Sequence, residues 1–325
     1  LVVKQILLRQ PTWKVVAAVR DLERAETALA DVIKNDRERV DLVLCNLEKK
    51  RDVEEAVRGV DQVIWCASGF SGRSSGRFQR LAFLLRVIRF AFWKQIGRAL
   101  DLRGPMRMAR ALKKMNHISL YRVDGMTYKE PRPQSSRVRR DGDLPRLVML
   151  SSAAVTRPKW NKELKTEFPE AANIPIVKLN PLGLLNAKLK GEDKMKKVGV
   201  PYSIVRSCGI NSTHPDGHVV ISYGDTAVGR VNPSDLARVL VTTLDTPQST
   251  YKTFEVYTKP KTGFFDPKGV KGECERQLAL VPQDAAPEKS KLRRLLKTTT
   301  PRPVPVQPIQ VVDAQEKKKE SVGKG

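Results

Sequence analysis

The hydrophobic pattern of the chain alternates between short apolar runs and longer segments with helical spacing. Runs of four or five residues rich in Val, Ile and Leu, bounded by polar turns, predict buried strands. The segments between them place apolar residues three and four positions apart, which predicts amphipathic helices. Strands that alternate with helices favour a parallel sheet covered on both faces, because each crossover is right-handed. The predicted strands lie near Val15, Val43, Val63, Val148 and Ile204.

The stretch from Lys188 to Asn211 shows this alternation most clearly. A charged helix ends at Gly199, a residue suited to the left-handed turn that often follows a helix. Tyr202 to Val205 is then a short apolar run, which predicts a buried strand. Ligands of open α/β sheets bind outside the carboxyl ends of the strands, so the polar loop after this strand is a candidate binding segment. That loop includes Ser207, Cys208 and Gly209.

The same stretch carries a family resemblance. Lys188 is followed four residues later by Glu192 and, after the helix, by Gly-Val-Pro-Tyr-Ser-Ile-Val-Arg at 199–206. This arrangement resembles the atypical, extended-type short-chain dehydrogenase/reductase superfamily. More narrowly, it is similar to the NAD(P)-binding branch of NmrA-like regulators and chloroplast photosystem-assembly factors. The resemblance implies an α/β fold over residues 1–258, with a Rossmann-like doubly wound parallel sheet and a small C-terminal lobe. It also implies a chloroplast location, with the cytoplasm as the alternative.

The first ten residues resemble the first helix of a Rossmann fold, with Val2, Val3, Ile6 and Leu7 on one face. Such a fold begins with a strand and a Gly-rich turn, whose backbone N–H groups approach the cofactor pyrophosphate. We expect both of these elements to lie before Leu1. The sequence as given is therefore predicted to lack the first strand and the Gly-rich turn.

Arg20 stands at the end of the first predicted strand and bears on the choice of cofactor. At this place an acidic residue holds the ribose 2′-OH of NAD, whereas an Arg accommodates the 2′-phosphate of NADP. Arg20, followed by Asp21, therefore favours NADP(H). The alternative is that Arg20 is a solvated side chain at the start of the next helix.

The resemblance implies further cofactor contacts at the ends of the other strands. In the family, the polar residue after the strand near Val43 lies by the adenine, and small residues after the strand near Val63 let the ribose approach. The alternative for the Ala-Ser-Gly sequence is a simple turn. The strand that ends at the family's serine position and the helix that carries the family's lysine supply the remaining cofactor contacts. The matching residues are Asn46, Leu47, Ala67, Ser68, Gly69, Ser151 and Lys188.

The resembled enzymes use a Ser, a Tyr and a Lys, with the Tyr four residues before the Lys on one helix. The Tyr transfers a proton and must lie within hydrogen-bond reach of the reacting group. Ser151 and Ser152 end an apolar strand as the family's serine does, and Lys188 stands at the lysine position. Leu184 stands at the tyrosine position and cannot transfer a proton. The sequence therefore argues against ordinary dehydrogenase chemistry and leaves open whether the protein is an enzyme.

A formal net charge of +25 over 325 residues points to anionic partners such as phosphates, acidic proteins or lipid surfaces. Residues 71–143 form a basic insertion relative to the family. Within it, the pattern of residues 77–114 predicts basic amphipathic helix structure, which suits an anionic surface or a protein partner. The alternative is that this segment is an ordinary crossover helix. Non-specific nucleic-acid binding is a further expectation. Residues 259–325 are rich in Pro and Lys and are predicted to be a largely disordered tail.

The four cysteines have no metal-type spacing and the three histidines are scattered, so no metal site is predicted. No apolar run is long enough to span a membrane.

Three functions fit these observations. The first is an NADP(H)-binding regulator or assembly factor without ordinary dehydrogenase activity. The second is an NADPH-dependent reductase with a non-standard proton donor, for which His214, His218 and Tyr223 are candidates. The third is a basic scaffold that binds RNA or a membrane surface.

Overall fold

The computed structural model describes residues 1–68, 96–115, 118–123, 126–131, 142–180, 183–260 and 270–285. Its helices are α1 (Val2–Arg9), α2 (Leu22–Asp36), α3 (Lys50–Ala56), α4 (Ile96–Met115), α5 (Lys162–Glu167), α6 (Pro169–Ala172), α7 (Pro175–Leu179), α8 (Leu184–Lys196), α9 (Pro233–Leu244) and α10 (Val270–Leu280). Its strands are β1 (Val15–Val19), β2 (Val40–Leu44), β3 (Val63–Trp65), β4 (Ile118–Val123), β5 (Met126–Pro131), β6 (Leu147–Ser152), β7 (Tyr202–Ser207), β8 (Gly209–Ile210), β9 (Gly217–Ser222), β10 (Arg230–Val231) and β11 (Lys252–Pro260).

A five-stranded sheet in the order β3-β6-β7-β11-β9 forms the centre of the molecule. Its first four strands pair in parallel, and β9 pairs antiparallel to β11 at the edge. β1 and β2 form a separate parallel pair, in register from Val15 with Val40 to Val19 with Leu44. The five predicted strands are all present and every pairing among them is parallel, so the α/β prediction of a mainly parallel sheet is confirmed.

Side chains of β6 alternate between two hydrophobic cores, as the two-residue period of a strand requires. Leu147 and Met149 pack with α3, α4 and α8 on one face of the sheet. Val148 packs with α9 and α10 on the other face. The fold therefore has three layers, and the α4 and α8 helices share one outer layer.

Arg39 holds the N-terminal helix against the β1–β2 pair. Its guanidinium donates hydrogen bonds to the backbone carbonyls of Leu7, Gln10 and Trp13, at distances of 2.6 to 3.4 Å. The bonds to Leu7 and Gln10 satisfy carbonyl groups that the end of α1 leaves without helical partners, and the bond to Trp13 holds the turn that follows. The buried side chains of Leu7 and Val15 pack together beneath this contact.

The crossover from β3 to β6 contains α4, so this part of the basic insertion is the crossover helix of the fold. It also contains the antiparallel hairpin of β4 and β5. Residues 77–95, which supply the first part of the predicted basic amphipathic segment, lie outside the described residues, as does Gly69.

Helix α10 lies beyond residue 258, in the stretch predicted to be a largely disordered tail. Gln277 of this helix accepts a hydrogen bond from the backbone N–H of Ile221 and donates one to the carbonyl of Val219. Cys274 and Leu278 are buried against the α9 face of the core. The tail prediction therefore needs correction for this helix, and the domain boundary itself stays a prediction.

Candidate functional site

Lys188 lies at the carboxyl end of the central sheet in a compact polar cluster. Its Nζ donates hydrogen bonds to Asp101 Oδ1 at 3.0 Å and to Ser68 Oγ at 3.1 Å. The Ser68 hydroxyl in turn donates to the same Asp101 oxygen at 3.2 Å. Lys188 is 7% exposed and Asp101 is 3% exposed, so the ion pair is largely shielded from solvent. The end of β3, the crossover helix α4 and helix α8 thus converge on one ammonium group.

The close approach of α4 and α8 brings Asp101 to Lys188. At Gly191 a Cβ atom would lie 2.1 Å from the backbone carbonyl oxygen of Asp101. Further along, Lys113 Nζ donates to the carbonyl of Val198 at 2.9 Å, so the two helices run in the same direction. The absence of a side chain at Gly191 lets the helix backbones meet and places the carboxylate within reach of the ammonium.

Ser151 is engaged by a buried carboxylate on the same face of the sheet. Its hydroxyl donates to Glu192 Oε1 at 2.5 Å. Arg206 of β7 contacts both carboxylate oxygens of Glu192, at 2.7 and 3.3 Å. Glu192 is fully buried at 0% exposure. The family's serine position is therefore part of a Ser-Glu-Arg hydrogen-bond network, with the serine hydroxyl as a donor to the carboxylate.

A row of buried polar side chains continues from this network across the sheet. Strand pairing places Ser151 beside Arg206, Arg206 beside Glu255, and Glu255 beside Ser222. Glu255 accepts hydrogen bonds from the backbone N–H groups of Asp225 at 2.5 Å and Ala227 at 2.9 Å. These bonds hold the loop after β9 against the sheet.

The charged side chains of this row shift one another's pKa values. Burial alone would lower the pKa of Arg206, but Glu192, Asp225 and Glu255 raise it overall, so the guanidinium stays charged. Burial raises the pKa of Glu255, and the nearby Asp225 carboxylate raises it further. Three carboxyl groups thus share the surroundings of one guanidinium.

Asp225 anchors the loop that follows β6. Its carboxylate accepts hydrogen bonds from the backbone N–H groups of Ala154 at 2.5 Å and Thr156 at 2.7 Å. Arg157 donates to the carbonyls of Asp225 and Ala227, both at 2.6 Å. Ala154 has φ of 78°, a conformation that non-glycine residues adopt only when the surroundings enforce it. The loops after β6 and β9 are therefore fixed relative to each other.

The positions of the two remaining catalytic candidates bear directly on the chemistry. Leu184 is the first residue of α8 and is buried, at 9% exposure. Ser152 is half-buried and, by strand alternation from Ser151, belongs to the opposite face of the sheet from Lys188. Neither residue can supply the phenol that the family places beside the lysine.

The loop after β7 lies at the same end of the sheet. Ser207 is buried and its hydroxyl donates to the Ser151 carbonyl at 3.3 Å. Burial raises the pKa of the Cys208 thiol to about 12, so this thiol is not a reactive thiolate near neutral pH. Gly209 is exposed, and the side chain of Arg230 lies so close to it that a Cβ would be 2.7 Å from Arg230 Nη1.

The predicted cofactor residues on β1 and β2 lie at the carboxyl ends of those strands. Arg20 is exposed, and Asp21 is the N-cap of α2, where its Oδ1 accepts the backbone N–H of Arg24 at 3.0 Å. The Asn46 side chain accepts the Glu48 N–H at 2.9 Å and so shapes the turn after β2.

Helix α4 connects the two groups of candidate residues. Arg107 Nη1 donates to the carbonyl of Leu47 at 2.5 Å, six residues along the helix from Asp101. Ala67 is half-buried and packs against the core under α4. The structure therefore links Leu47 through α4 to the Ser68–Asp101–Lys188 cluster.

A dinucleotide fits the described residues at its two ribose ends. An exposed Arg20 beside the N-terminus of the 15-residue helix α2 suits a phosphate, because both features favour negative charge. Lys188 makes two hydrogen bonds within the described part of the chain, and its ammonium has three N–H donors. The remaining donor suits a ribose hydroxyl. Among the described residues, no Gly-rich turn follows a strand to hold the pyrophosphate.

The alternative proton donors are His214, His218 and Tyr223. A ring nitrogen of His214 lies 3.0 Å from the carbonyl oxygen of Thr258. His218 is exposed on β9, at the edge of the sheet. Tyr223 packs against the core on the α9 face, opposite the layer that contains α8.

Asp101 was not among the residues that the sequence singled out. Its signal was nevertheless present, because it is the only acidic residue between Asp61 and Asp124, in a stretch otherwise rich in Arg and Lys. A single carboxylate in such a basic stretch indicates a specific basic partner. The structure identifies this partner as Lys188.

Within the part of the chain that the structure describes, none of the helices combines the length and the apolar character that crossing a bilayer requires. The same residues hold no cluster of three His, Cys, Asp or Glu side chains that could bind a metal ion. All four cysteines are free thiols.

Comparison with known proteins supports the fold. No family model matches the sequence. The chain is 26% identical over 270 residues to an uncharacterised chloroplastic protein of Arabidopsis thaliana, which covers 82% of this chain and 75% of the relative.

Two solved structures share the architecture over most of their length. A Bacillus halodurans protein assigned as an NAD-dependent epimerase/dehydratase aligns with a TM-score of 0.51 and 20% identity, over 85% of this chain and 93% of its own. An oxidoreductase of Lactococcus lactis aligns with a TM-score of 0.52 and 14% identity, over 87% of this chain and 95% of its own. At these identities the likeness establishes the Rossmann-like fold.

Proposed function

We propose that this chain, which has the Rossmann-like fold of the atypical short-chain dehydrogenase/reductase superfamily, binds NADP(H) and acts as a regulator or assembly factor. In this proposal it is not an ordinary dehydrogenase. The NmrA-like branch supplies the precedent, and the chloroplastic relative supports a chloroplast location. The cofactor would report the redox state of its compartment to a partner.

The single observation that carries this proposal is the state of the three family positions. The tyrosine position holds the buried Leu184. The serine hydroxyl of Ser151 donates to Glu192, and the ammonium of Lys188 is bound by Asp101. The family's tyrosine is thus replaced, and the serine hydroxyl is engaged in a buried hydrogen bond. Lys188, which could hold a ribose hydroxyl, is retained.

The missing phenol has a calculable consequence. A positioned general acid contributes typically ~10² to 10⁴-fold to the rate of proton transfer. Without it, a bound nicotinamide would supply hydride, but Leu184 could give no proton to the substrate oxygen. Lys188 then serves to orient a ribose hydroxyl, and Asp101 serves to fix the ammonium for that task.

Arg20 supports the choice of NADP(H) over NAD(H). It is exposed at the carboxyl end of β1, and the Asp21 carboxylate next to it is occupied as the N-cap of α2. An acidic residue that caps a helix is less able to accept hydrogen bonds from a ribose 2′-OH. A guanidinium in this place forms charge-assisted hydrogen bonds with a 2′-phosphate.

Calorimetric titration of the full-length protein with NADPH and NADH tests this choice. We expect NADPH to bind more tightly, and Arg20→Asp to abolish or reverse the preference. Arg37→Asp is the matched control, because Arg37 is an exposed Arg at the other end of α2. Equal affinities of the parent for the two cofactors would contradict the proposal.

The reductase with another proton donor remains the alternative enzyme function. It would require a donor near Lys188, whereas a ring nitrogen of His214 lies within hydrogen-bond distance of the Thr258 carbonyl and Tyr223 packs on the α9 face. The basic-scaffold alternative predicts that neither cofactor binds. The same titrations therefore separate the proposal from that alternative.

A further inference from the structure

Helices α4 and α8 present a basic surface to solvent on the outer layer of the fold. We call it the two-helix face. Along each helix, the side chains turned away from the core are mainly cationic. The face consists of the exposed residues Arg103, Arg110, Lys113, Lys190 and Lys197 and the half-buried Lys194.

Acidic residues on these helices do not neutralise the face. Together α4 and α8 contain three carboxylates. Asp101 and Glu192 are buried in ion pairs with Lys188 and Arg206. Only Asp193 is exposed, so six cations stand against one acid on this surface.

The cations are spread in two dimensions. Packed helices have axes about 8–10 Å apart. Lys190, Lys194 and Lys197 follow the i, i+4, i+7 spacing along one side of α8, and seven residues span about 10 Å. Arg103 to Lys113 spans about 15 Å along α4. Lys113 bonds to the carbonyl of Val198, which joins the two rows into one surface.

The composition of the face discriminates among anionic partners. Neither helix contains an aromatic residue, so stacking with nucleic-acid bases has no platform here. A second copy of the same face would bring like charges together, which opposes self-association. A sheet-like array of lysines and arginines instead matches a planar surface with mobile anionic groups.

We propose that the two-helix face docks the protein on the surface of an anionic lipid bilayer. Attraction between Lys or Arg and anionic headgroups acts within about a Debye length of the membrane, about 10 Å at 0.1 M salt. Among the described side chains of α4 and α8, none is a large apolar residue exposed to solvent, so we expect docking by adsorption. The Lys188 cluster lies near the N-terminal ends of both helices.

Sedimentation with lipid vesicles tests this proposal on the full-length protein. The vesicles are pure phosphatidylcholine or equal parts phosphatidylcholine and phosphatidylglycerol. The test variant replaces Lys190, Lys194 and Lys197 with Gln. Its matched control replaces three exposed cations of the opposite layer with Gln, so that both variants lose the same charge. The control residues are Lys4, Lys34 and Arg37.

We expect the parent to bind the anionic vesicles only, and to be released as salt is raised. Each lysine near an anionic surface changes the partition coefficient about fivefold, so the test variant should lose on the order of 100-fold. The control variant should stay within a few-fold of the parent.

Three outcomes would overturn the proposal. One is the absence of binding by the parent. Another is an equal loss in both variants, which would indicate attraction by net charge alone. The last comes from competition, in which single-stranded RNA or added phosphatidylglycerol vesicles displace the bound parent. If RNA displaces it at the lower concentration, the face would be assigned to nucleic acid.

Discussion

Replacement of Glu192 by Gln tests the buried network that engages Ser151. Glu192 is fully buried, and its carboxylate binds both Ser151 and Arg206. Gln has nearly the same shape but carries no charge. The substitution therefore leaves the Arg206 guanidinium buried without its nearest counter-charge, while the packing of α8 is preserved.

The expected magnitude follows from the surroundings of the guanidinium. Removal of one partner from a buried ion pair destabilises proteins by about 3–5 kcal/mol. Glu255 and Asp225 also act on Arg206, and they will compensate part of the loss. We therefore expect Glu192→Gln to lower the free energy of unfolding by about 3 kcal/mol, at the lower end of that range.

Urea unfolding followed by circular dichroism measures the change, with Asp193→Asn as the matched control. Asp193 is the next residue on the helix and is exposed, so its substitution should change the free energy by less than about 0.5 kcal/mol. Equal midpoints for Glu192→Gln and Asp193→Asn would refute this reasoning.

Three further predictions concern stability. Gly191→Ala places a Cβ against the Asp101 carbonyl oxygen, so it should separate α4 from α8. We expect it to lower the free energy of unfolding by about 1–3 kcal/mol, and an unchanged urea midpoint would contradict this. Arg39→Ala removes the bonds that cap α1 and should lower the free energy of unfolding by about 1.5–3 kcal/mol, with Arg37→Ala as the near-neutral control in the same thermal or urea assay. Burial and Asp225 raise the pKa of Glu255 in the folded protein, so stability should fall as pH rises from about 4.3, the pKa in the unfolded chain, towards the raised value. Glu255→Gln should flatten that part of the pH profile of unfolding, and an identical profile in the variant would count against it.

The fold was predictable because local signals agree with it. Short Val- and Ile-rich runs between helical segments correctly indicated β1, β2, β3, β6 and β7. A local signal also marks the start of α9, where the Asn232 side chain accepts the Ser234 N–H at 2.8 Å. These signals lie within a few neighbouring residues, which is the range that sequence patterns report.

The candidate site was predictable only in part, because its contacts join residues distant in sequence. The family positions of Ser151 and Lys188 were identified from the resemblance. Their partners were not, since Asp101 is 87 residues from Lys188 and its pairing depends on the close helix contact at Gly191. α10 was missed for a related reason: its order depends on burial of Cys274 and Leu278 against distant strands.

The proposed function requires the chain to hold a dinucleotide without the proton-transfer chemistry of an ordinary dehydrogenase. The rate of NADPH oxidation by the full-length protein with a panel of carbonyl substrates tests this requirement. Leu184→Tyr serves as the gain-of-function variant, since it restores a phenol four residues before Lys188 on the same helical face. Leu184→Phe is the control of matched size without the hydroxyl.

We expect turnover at background level for the parent and for Leu184→Phe, and a rise of ~10² to 10⁴-fold for Leu184→Tyr where the phenol reaches the substrate oxygen. Turnover by the parent at rates on the order of 1 s⁻¹ or above, within the ordinary range of enzymes, would rule out the proposed function.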